Sequence, residues 1–342
     1  MHAAPARIIV TRRLPAQIEA ELSSRLQATL NPDDRQMTGD ELAAALHDFD
    51  VVLCTLTDRL TRSVFAASSP IRARLLANFG VGHNHIDLAA ARDQDVAVTN
   101  TPGVLTEDAA DHTMLLILMV ARRASEGERE LRDDRWTGWR PTHLLGTRVS
   151  GKTLGIIGLG RIGLAVAERA HHGFGMRILY HSRHRGAATL EARCAATWCD
   201  TVEDVLARAD FVSLHCPATP ETHHLMDASR LARMSPHAFL IDTSRGDMMD
   251  EDALVASARW EACWRAPLWM CTKASPPSIP VSSLATTWSC CRISAARRWK
   301  AGSRWDDAPW RTSTHSWKVG NSLTGLAEDS ARVPHSSATS DL

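Results

Sequence analysis

The chain has no surplus of either charge: 39 Lys and Arg stand against 39 Asp and Glu over 342 residues. That balance argues against a nucleic-acid binder. A long apolar run is also missing. The longest, Met114–Ala121, is far short of the ~20 residues that cross a bilayer and suits a buried helix. No membrane partner is therefore expected. The N-terminal stretch Met1-His-Ala-Ala-Pro-Ala-Arg-Ile-Ile-Val10 lacks the charged, apolar and small-residue segments of a secretory leader. Among the 8 cysteines none has metal-type pairing: Cys290 and Cys291 are adjacent, while Cys54, Cys194, Cys199 and Cys216 are scattered. No metal site is expected, and a reduced cytoplasmic protein is the simplest account. Internal repeats and low-complexity tracts are absent as far as about residue 257.

What is present centres on Thr153-Leu-Gly-Ile-Ile-Gly-Leu-Gly-Arg-Ile-Gly163, a short apolar strand running into Gly158-Leu-Gly160-Arg-Ile-Gly163. Ala165, Val166 and Ala167 then open an apolar helical stretch. Gly158 permits the tight turn, Gly160 lets the backbone approach a pyrophosphate, and Gly163 lets helix and strand pack closely. The helix start adds unpaired N–H groups and the positive end of a dipole. A glycine triplet alone is often only a turn, but the flanking strand and helix point to dinucleotide binding.

An NAD site places Asp or Glu about 20 residues further on, against the ribose 2′-hydroxyl. Here the second strand, Met176–Tyr180, ends instead in His181-Ser-Arg-His-Arg185. No carboxylate stands there to repel a 2′-phosphate, and Ser182, Arg183 and Arg185 offer donors to one. NADP(H) is the preferred cofactor on this evidence, with NAD(H) still open. The alternative is a solvated basic turn.

Strands and helices alternate throughout. Arg7–Val10, Val51–Cys54 and Val96–Thr99 read as strands and Pro15–Leu30 as a helix, which implies a small parallel sheet wrapped by helices. Asn100-Thr-Pro-Gly103 is a turn-rich break. One long helix is expected from Thr106 to about Leu131, with Asp108 and Asp111 near its positive end. A loop over Trp136–Ser150 leads to the glycine strand. Further strands at Asp210–His215 and Phe239–Thr243 complete a doubly wound α/β pattern.

Taken together, five segments resemble the D-isomer-specific 2-hydroxyacid dehydrogenase family, in particular its glyoxylate/hydroxypyruvate reductase branch. They are Asn78-Phe-Gly-Val-Gly-His-Asn-His-Ile-Asp87, Val98-Thr-Asn-Thr-Pro-Gly-Val-Leu-Thr-Glu-Asp-Ala-Ala-Asp111, the glycine motif, His215-Cys-Pro-Ala-Thr-Pro-Glu-Thr222 and Asp242-Thr-Ser-Arg-Gly-Asp247. They follow the family order over residues 6–256. The resemblance implies a flavodoxin-like substrate domain over residues 1–100, a Rossmann domain over 101–257 and an aberrant tail over 258–342. It also implies hydride transfer to the carbonyl carbon of a small 2-oxo acid, leaving an alkoxide that needs a proton and positive charge.

In this scheme Arg245 clamps the substrate carboxylate and carbonyl oxygens. Val81 and Gly82 present backbone N–H groups to the carboxylate, although alone they would pass for an ordinary glycine turn. Thr106 lies near the nicotinamide half, and Arg161 and Ile162 face the phosphates. Cys216 and Pro217 lie against the nucleotide, and Thr222 and Thr243 complete the cofactor loops. The family further implies a homodimer paired through the helix and arm over Thr106–Arg148. A phosphoglycerate dehydrogenase fits less well, since no recognisable regulatory domain follows. A nucleotide-binding regulatory protein of the same fold, without turnover, is the alternative from another functional class.

The tail breaks the pattern. Eight of the 11 Trp lie in it, while all 6 Phe and the single Tyr come earlier, and no convincing periodicity remains. The family should show a strand of the Leu-Asp-Val-Tyr-Glu-Gly-Glu-Pro type, whose second Glu assists catalysis. A Leu-Pro-His-Ile-Gly-Ser-Ala-Thr segment should follow, whose His is the general acid/base. Neither is present. Yet the codons of Trp269-Met-Cys-Thr-Lys-Ala-Ser-Pro276, read one base earlier, admit Leu-Asp-Val-Tyr-Glu-Gly-Glu-Pro. Those of Trp288-Ser-Cys-Cys-Arg-Ile-Ser-Ala-Ala-Arg-Arg-Trp-Lys300 admit Met-Val-Val-Leu-Pro-His-Ile-Gly-Ser-Ala-Thr-Leu-Glu. The same shift explains the excess Trp, because NTG codons followed by G read as TGG. Translation in a shifted frame from within Ala256–Trp264 is thus expected, with an irregular tail lacking the last sheet strand, the closing helix and the catalytic Glu and His.

Overall fold

The computed structural model describes residues 5–258 and the pair Leu268–Trp269. They divide into two units between Val104 and Leu105.

The first unit contains β1 (Ile8–Val10), α1 (Ala16–Leu26), α2 (Gly39–Asp48), β2 (Val51–Thr55), α3 (Arg62–Ala67), β3 (Leu75–Phe79), α4 (Leu88–Asp93) and β4 (Ala97–Thr99). The strands form one parallel sheet in the order β1-β2-β3-β4. Outside β1, Thr29 adds one parallel bridge: its N–H donates to the Ile8 carbonyl at 2.8 Å, and its carbonyl accepts from the Val10 N–H at 2.9 Å. With Thr29 counted as the edge, the order is the flavodoxin-like 2-1-3-4-5. The helix expected over Pro15–Leu30 accordingly stops at Leu26, where Gln27 turns left-handed at φ 51°. Covering the open edge of β1 takes precedence over the helical periodicity. α2 is capped reciprocally by Thr38 and Glu41 and buries Leu42, Ala43, Ala45 and Leu46 against Val52 and Leu76.

The second unit contains α5 (Thr106–Arg122), α6 (Ala124–Arg132), β5 (Thr153–Ile157), α7 (Arg161–Phe174), β6 (Arg177–His181), α8 (Ala188–Arg193), β7 (Thr197–Trp198), α9 (Val202–Arg208), β8 (Phe211–Leu214), α10 (Ala228–Arg233), β9 (Phe239–Asp242), α11 (Glu251–Ala258) and β10 (Leu268–Trp269). The sheet is parallel throughout, and its order β7-β6-β5-β8-β9-β10 is the doubly wound 3-2-1-4-5-6 of Rossmann folds. Alternate strand residues face opposite sides. Leu154, Ile156, Phe211 and Ile241 pack with α5 and α7, whereas Val212, Leu214 and Leu240 pack with α9, α10 and α11. The rings of Phe211 and Phe239 stack 5.0 Å apart and join β8 to β9. No helix among the described residues is long and apolar enough to cross a membrane.

Two expectations are corrected here. The single helix from Thr106 to Leu131 is two, broken at Arg123 (φ 54°), whose guanidinium turns back onto Glu126. Beyond the break, α6 contains no buried residue, so no core face extends the α5 axis. The tail was expected to lack a strand, but Leu268 and Trp269 pair in parallel with Ile241 and Asp242. The free edge of β9 offers a ladder that a short apolar segment can join. The other calls on the tail, including the positions of the missing Glu and His, lie outside the described residues.

Candidate functional site: the dinucleotide edge and the substrate loops

The turn between β5 and α7 is shaped by contacts that only glycine allows. Gly158 has φ +99°, and a Cβ on it would lie 2.8 Å from the Cys216 nitrogen and 2.9 Å from the His215 carbonyl carbon. The turn is pressed against the end of β8. A Cβ on Gly163 would overlap the Gly158 carbonyl oxygen and approach Ile156 Cγ2 to 3.2 Å. Gly160 differs: its φ is −83°, and a Cβ there would meet nothing within 4 Å. Its missing side chain faces open space, the side from which a ligand backbone or phosphate approaches. α7 begins without a side-chain cap, leaving the N–H groups of its first turn, including Arg161 and Ile162, open to an anion. The residues present fit a dinucleotide pyrophosphate.

At the end of β6, Ser182 Oγ accepts from the Leu159 N–H at 2.9 Å and ties the basic turn to the glycine loop. His181 is the last strand residue, with Nδ1 3.0 Å from the Cys199 carbonyl, so no carboxylate occupies that strand end. The fully buried Tyr180 donates its hydroxyl to Glu191 Oε1 at 2.6 Å and accepts from the Gly186 N–H at 2.9 Å. Arg185 was expected to face a phosphate. Its Nε and Nη2 instead donate to the two Glu191 oxygens at 2.8 and 2.9 Å. This pair and the Tyr180 hydroxyl hold the Glu191 carboxyl down to about 2. Arg183 and His184 are exposed between these tethers.

After β8, the Cys216 thiol points at Met248 Sδ, 3.3 Å away, and burial pushes its pKa up to about 11. Burial likewise lowers His215 to about 4, and its Nε2 lies 2.9 Å from Ser213 Oγ. Pro217 is exposed. Thr222, expected at the cofactor, spends its hydroxyl locally: it accepts from the Thr219 N–H at 2.8 Å and donates to the Pro217 carbonyl at 2.7 Å. It shapes the loop that carries Pro217.

Arg245 follows β9 at the same carboxyl edge, its Nη1 2.7 Å from the Ser244 carbonyl. The Ser244 N–H donates to Asp242 Oδ1 at 2.8 Å. Asp242 is 1% exposed, and its Oδ2 has no partner among the described residues. Burial raises this carboxyl to about 6, against the opposing pull of Ser244 and Arg245. Thr243 Oγ1 meets Thr113 Oγ1 at 3.1 Å and fastens the end of β9 to α5. Thr106 is the first residue of α5 and half-buried.

In the first unit, Val81 and Gly82 lie on the loop after β3. Asn78 Nδ2 donates to the carbonyls of Gly80 (3.1 Å) and Gly82 (2.9 Å), and Asn100 Nδ2 donates to that of Val81 at 2.8 Å. With the carbonyls tied back, the N–H groups of Val81 and Gly82 bond no other described residue. Asn78, Asn100, Tyr180, Glu191 and Asp242 were not singled out in the sequence. Asn78 and Asn100 do sit inside recognisable motifs, but their partners become visible only once the loop is folded.

The profile of the NAD binding domain of D-isomer specific 2-hydroxyacid dehydrogenases matches residues 114–266. A glyoxylate reductase of Korarchaeum cryptofilum is 39% identical over 249 residues, 72% of this chain and 74% of the relative. A glycerate dehydrogenase of Hyphomicrobium methylovorum is 35% identical over 251 residues, covering 73% and 77%. Among solved structures, one from Thermus thermophilus superposes with a TM-score of 0.71 at 37% identity, covering 81% of this chain and 86% of that one. One from Polaromonas, described as of the NAD-binding D-isomer specific 2-hydroxyacid dehydrogenase type, gives 0.75 at 35% identity, covering 83% and 88%.

Proposed function

The chain belongs to the D-isomer specific 2-hydroxyacid dehydrogenase family, and on that premise we propose that its fold reduces glyoxylate or hydroxypyruvate with NADPH. The observation that carries this reading is Arg245, which closes β9 at the carboxyl edge that also carries the uncapped, glycine-lined start of α7. α/β sheets bind their ligands at that edge. When bound, the nicotinamide supplies hydride to the carbonyl carbon.

The chain's own part is to bind and to balance charge. Gly158, Gly160, Arg161, Ile162 and Gly163 receive the phosphates, while Cys216 and Pro217 flank the nucleotide. Thr106 and Thr243 line the nicotinamide side. Arg245 holds the carboxylate and carbonyl oxygens and stabilises the alkoxide as it forms. The N–H groups of Val81 and Gly82 serve the substrate carboxylate. Ser182 and the basic turn after β6 favour NADPH.

The chain as written also carries its tail in a shifted frame. The matches to the curated relatives cover about three quarters of this chain and of each relative, and the domain profile ends at residue 266. Without the catalytic Glu and His, turnover falls by ~10²–10⁴-fold, the usual worth of a positioned acid/base, and the chain binds nucleotide without reducing oxo acids. This is the specific ground for the second reading, a nucleotide-binding protein that does not turn over. Restoring one base upstream of Trp269 restores the reductase.

Assaying both versions with NADPH and NADH against glyoxylate, hydroxypyruvate and pyruvate tests the assignment. Robust turnover by the chain as written overturns the frame argument, and no turnover by the restored chain overturns the enzyme assignment. We place the protein in the cytoplasm as a homodimer, whose arm exposes Leu131, Trp136, Trp139 and Leu145. Light scattering showing only a 37.5 kDa species overturns the dimer.

A further inference from the structure

Two arginines follow β6, and among the described residues only Arg185 is tied down by a partner. In the sheet order β8-β5-β6-β7, the glycine loop follows β5, so one flank of the β6 turn faces the loop and the other faces β7. Arg185 lies on the β7 flank. Its guanidinium carbon is 6.0 Å from the Trp198 ring centre of β7, and two of its nitrogens are taken by Glu191 of α8. Arg183 is exposed and pairs with no described residue, and its charge acts on Glu221 in the turn after β8. The backbone between is tethered at both ends: Ser182 to Leu159 of the glycine loop, and Gly186 to the Tyr180 hydroxyl, which itself leans on Glu191.

We propose that Arg183 alone of the two makes the 2′-phosphate contact, and that Tyr180, Glu191 and Arg185 are positioning residues that hold the turn in shape. This rests on the NADPH assignment above and divides its labour. Arg185 also neutralises Glu191, whose charge would otherwise stand unbalanced beside the turn and repel a phosphate. Glu191 is only 12% exposed as a side chain and stays ionised at all working pH values, so the latch does not open on mild acidification.

The test uses 2′,5′-ADP and 5′-AMP as probes, titrated calorimetrically against the full chain, and so does not depend on turnover. Arg183→Ala should weaken 2′,5′-ADP about ten- to hundredfold, the worth of a charge-assisted contact, and leave 5′-AMP unchanged. Arg185→Ala should weaken 2′,5′-ADP less, by exposing the Glu191 charge. Adding Glu191→Gln to Arg185→Ala should then restore part of the affinity, since it removes the unbalanced charge although the Arg185–Glu191 tether stays lost. Tyr180→Phe should weaken 2′,5′-ADP selectively, with a melting curve reported alongside to show that the unit is folded. If the Arg185→Ala/Glu191→Gln pair stays as weak as Arg185→Ala, Arg185 is itself the phosphate contact and the proposal fails. If the unmodified chain binds 5′-AMP and 2′,5′-ADP equally, the NADPH reading fails instead.

Discussion

Replacing Asp242 by Asn should change how stability depends on pH, and by an amount the structure sets. The carboxyl is sealed at the end of β9 with one oxygen bonded to Ser244 and the other without a partner among the described residues. Burial raises it to about 6 from 3.8, so the folded state holds a proton that the unfolded chain has already released. Between those values the native state binds more protons than the unfolded one. Stability contributed by this group is therefore fully present below about pH 4 and is lost as pH rises through 6. The two-unit difference amounts to about 3 kcal/mol in all. Asn carries no such dependence and still offers an oxygen to the Ser244 N–H. Its unneeded amide donors add only a pH-independent offset. Urea unfolding of both proteins at intervals from pH 4 to 8 measures the difference directly, because other carboxylates cancel between them. The variant should gain on the parent by about 3 kcal/mol across that range. Parallel profiles would show that Asp242 is ionised in the fold at low pH, through a water or partner that solvates its second oxygen.

The glycine turn permits a paired test. Gly160→Ala should leave melting unchanged, within about 0.5 kcal/mol, since its Cβ enters open space, yet weaken NADPH binding at least tenfold by fluorescence titration. Gly163→Ala should instead destabilise the second unit by about 1–3 kcal/mol, because its Cβ strikes the Gly158 carbonyl; an unchanged melting temperature refutes the contact. His215 has the opposite pH sense to Asp242. Its folded value of about 4 lies below the usual 6.5, so stability is lost as pH falls through that window, and His215→Gln should remove the loss in acid unfolding curves. In the first unit, Thr38→Ala removes a reciprocal cap of α2 and should cost about 1 kcal/mol in urea unfolding.

Much of this architecture was legible along the chain because its causes are short in sequence. Gly163 is constrained by Gly158 and Ile156 of its own turn and strand, so its spacing from Gly158 announces the turn before any fold is known, whereas what presses on Gly158 is the distant end of β8 at His215 and Cys216. The alternation of apolar strands and helices likewise follows from a period of two or of 3.6 that neighbouring residues repeat. The proposal of a shifted tail has a related basis, since codon degeneracy is a local property.

Tertiary structure decided the questions of competition. Thr29 ends α1 early because β1 has an unpaired edge. Arg123 breaks a helix whose second half has no core to face. Arg185 and Arg183 look equivalent in sequence, yet one nearly buried carboxylate on α8 claims the first and leaves the second exposed. Asn78 and Asn100 tie back three carbonyls, while the N–H groups of Val81 and Gly82 bond no described residue. A residue's type states what it can bond, but a folded chain has few buried acceptors. Which donor reaches each one depends on segments that meet only when the sheet is assembled.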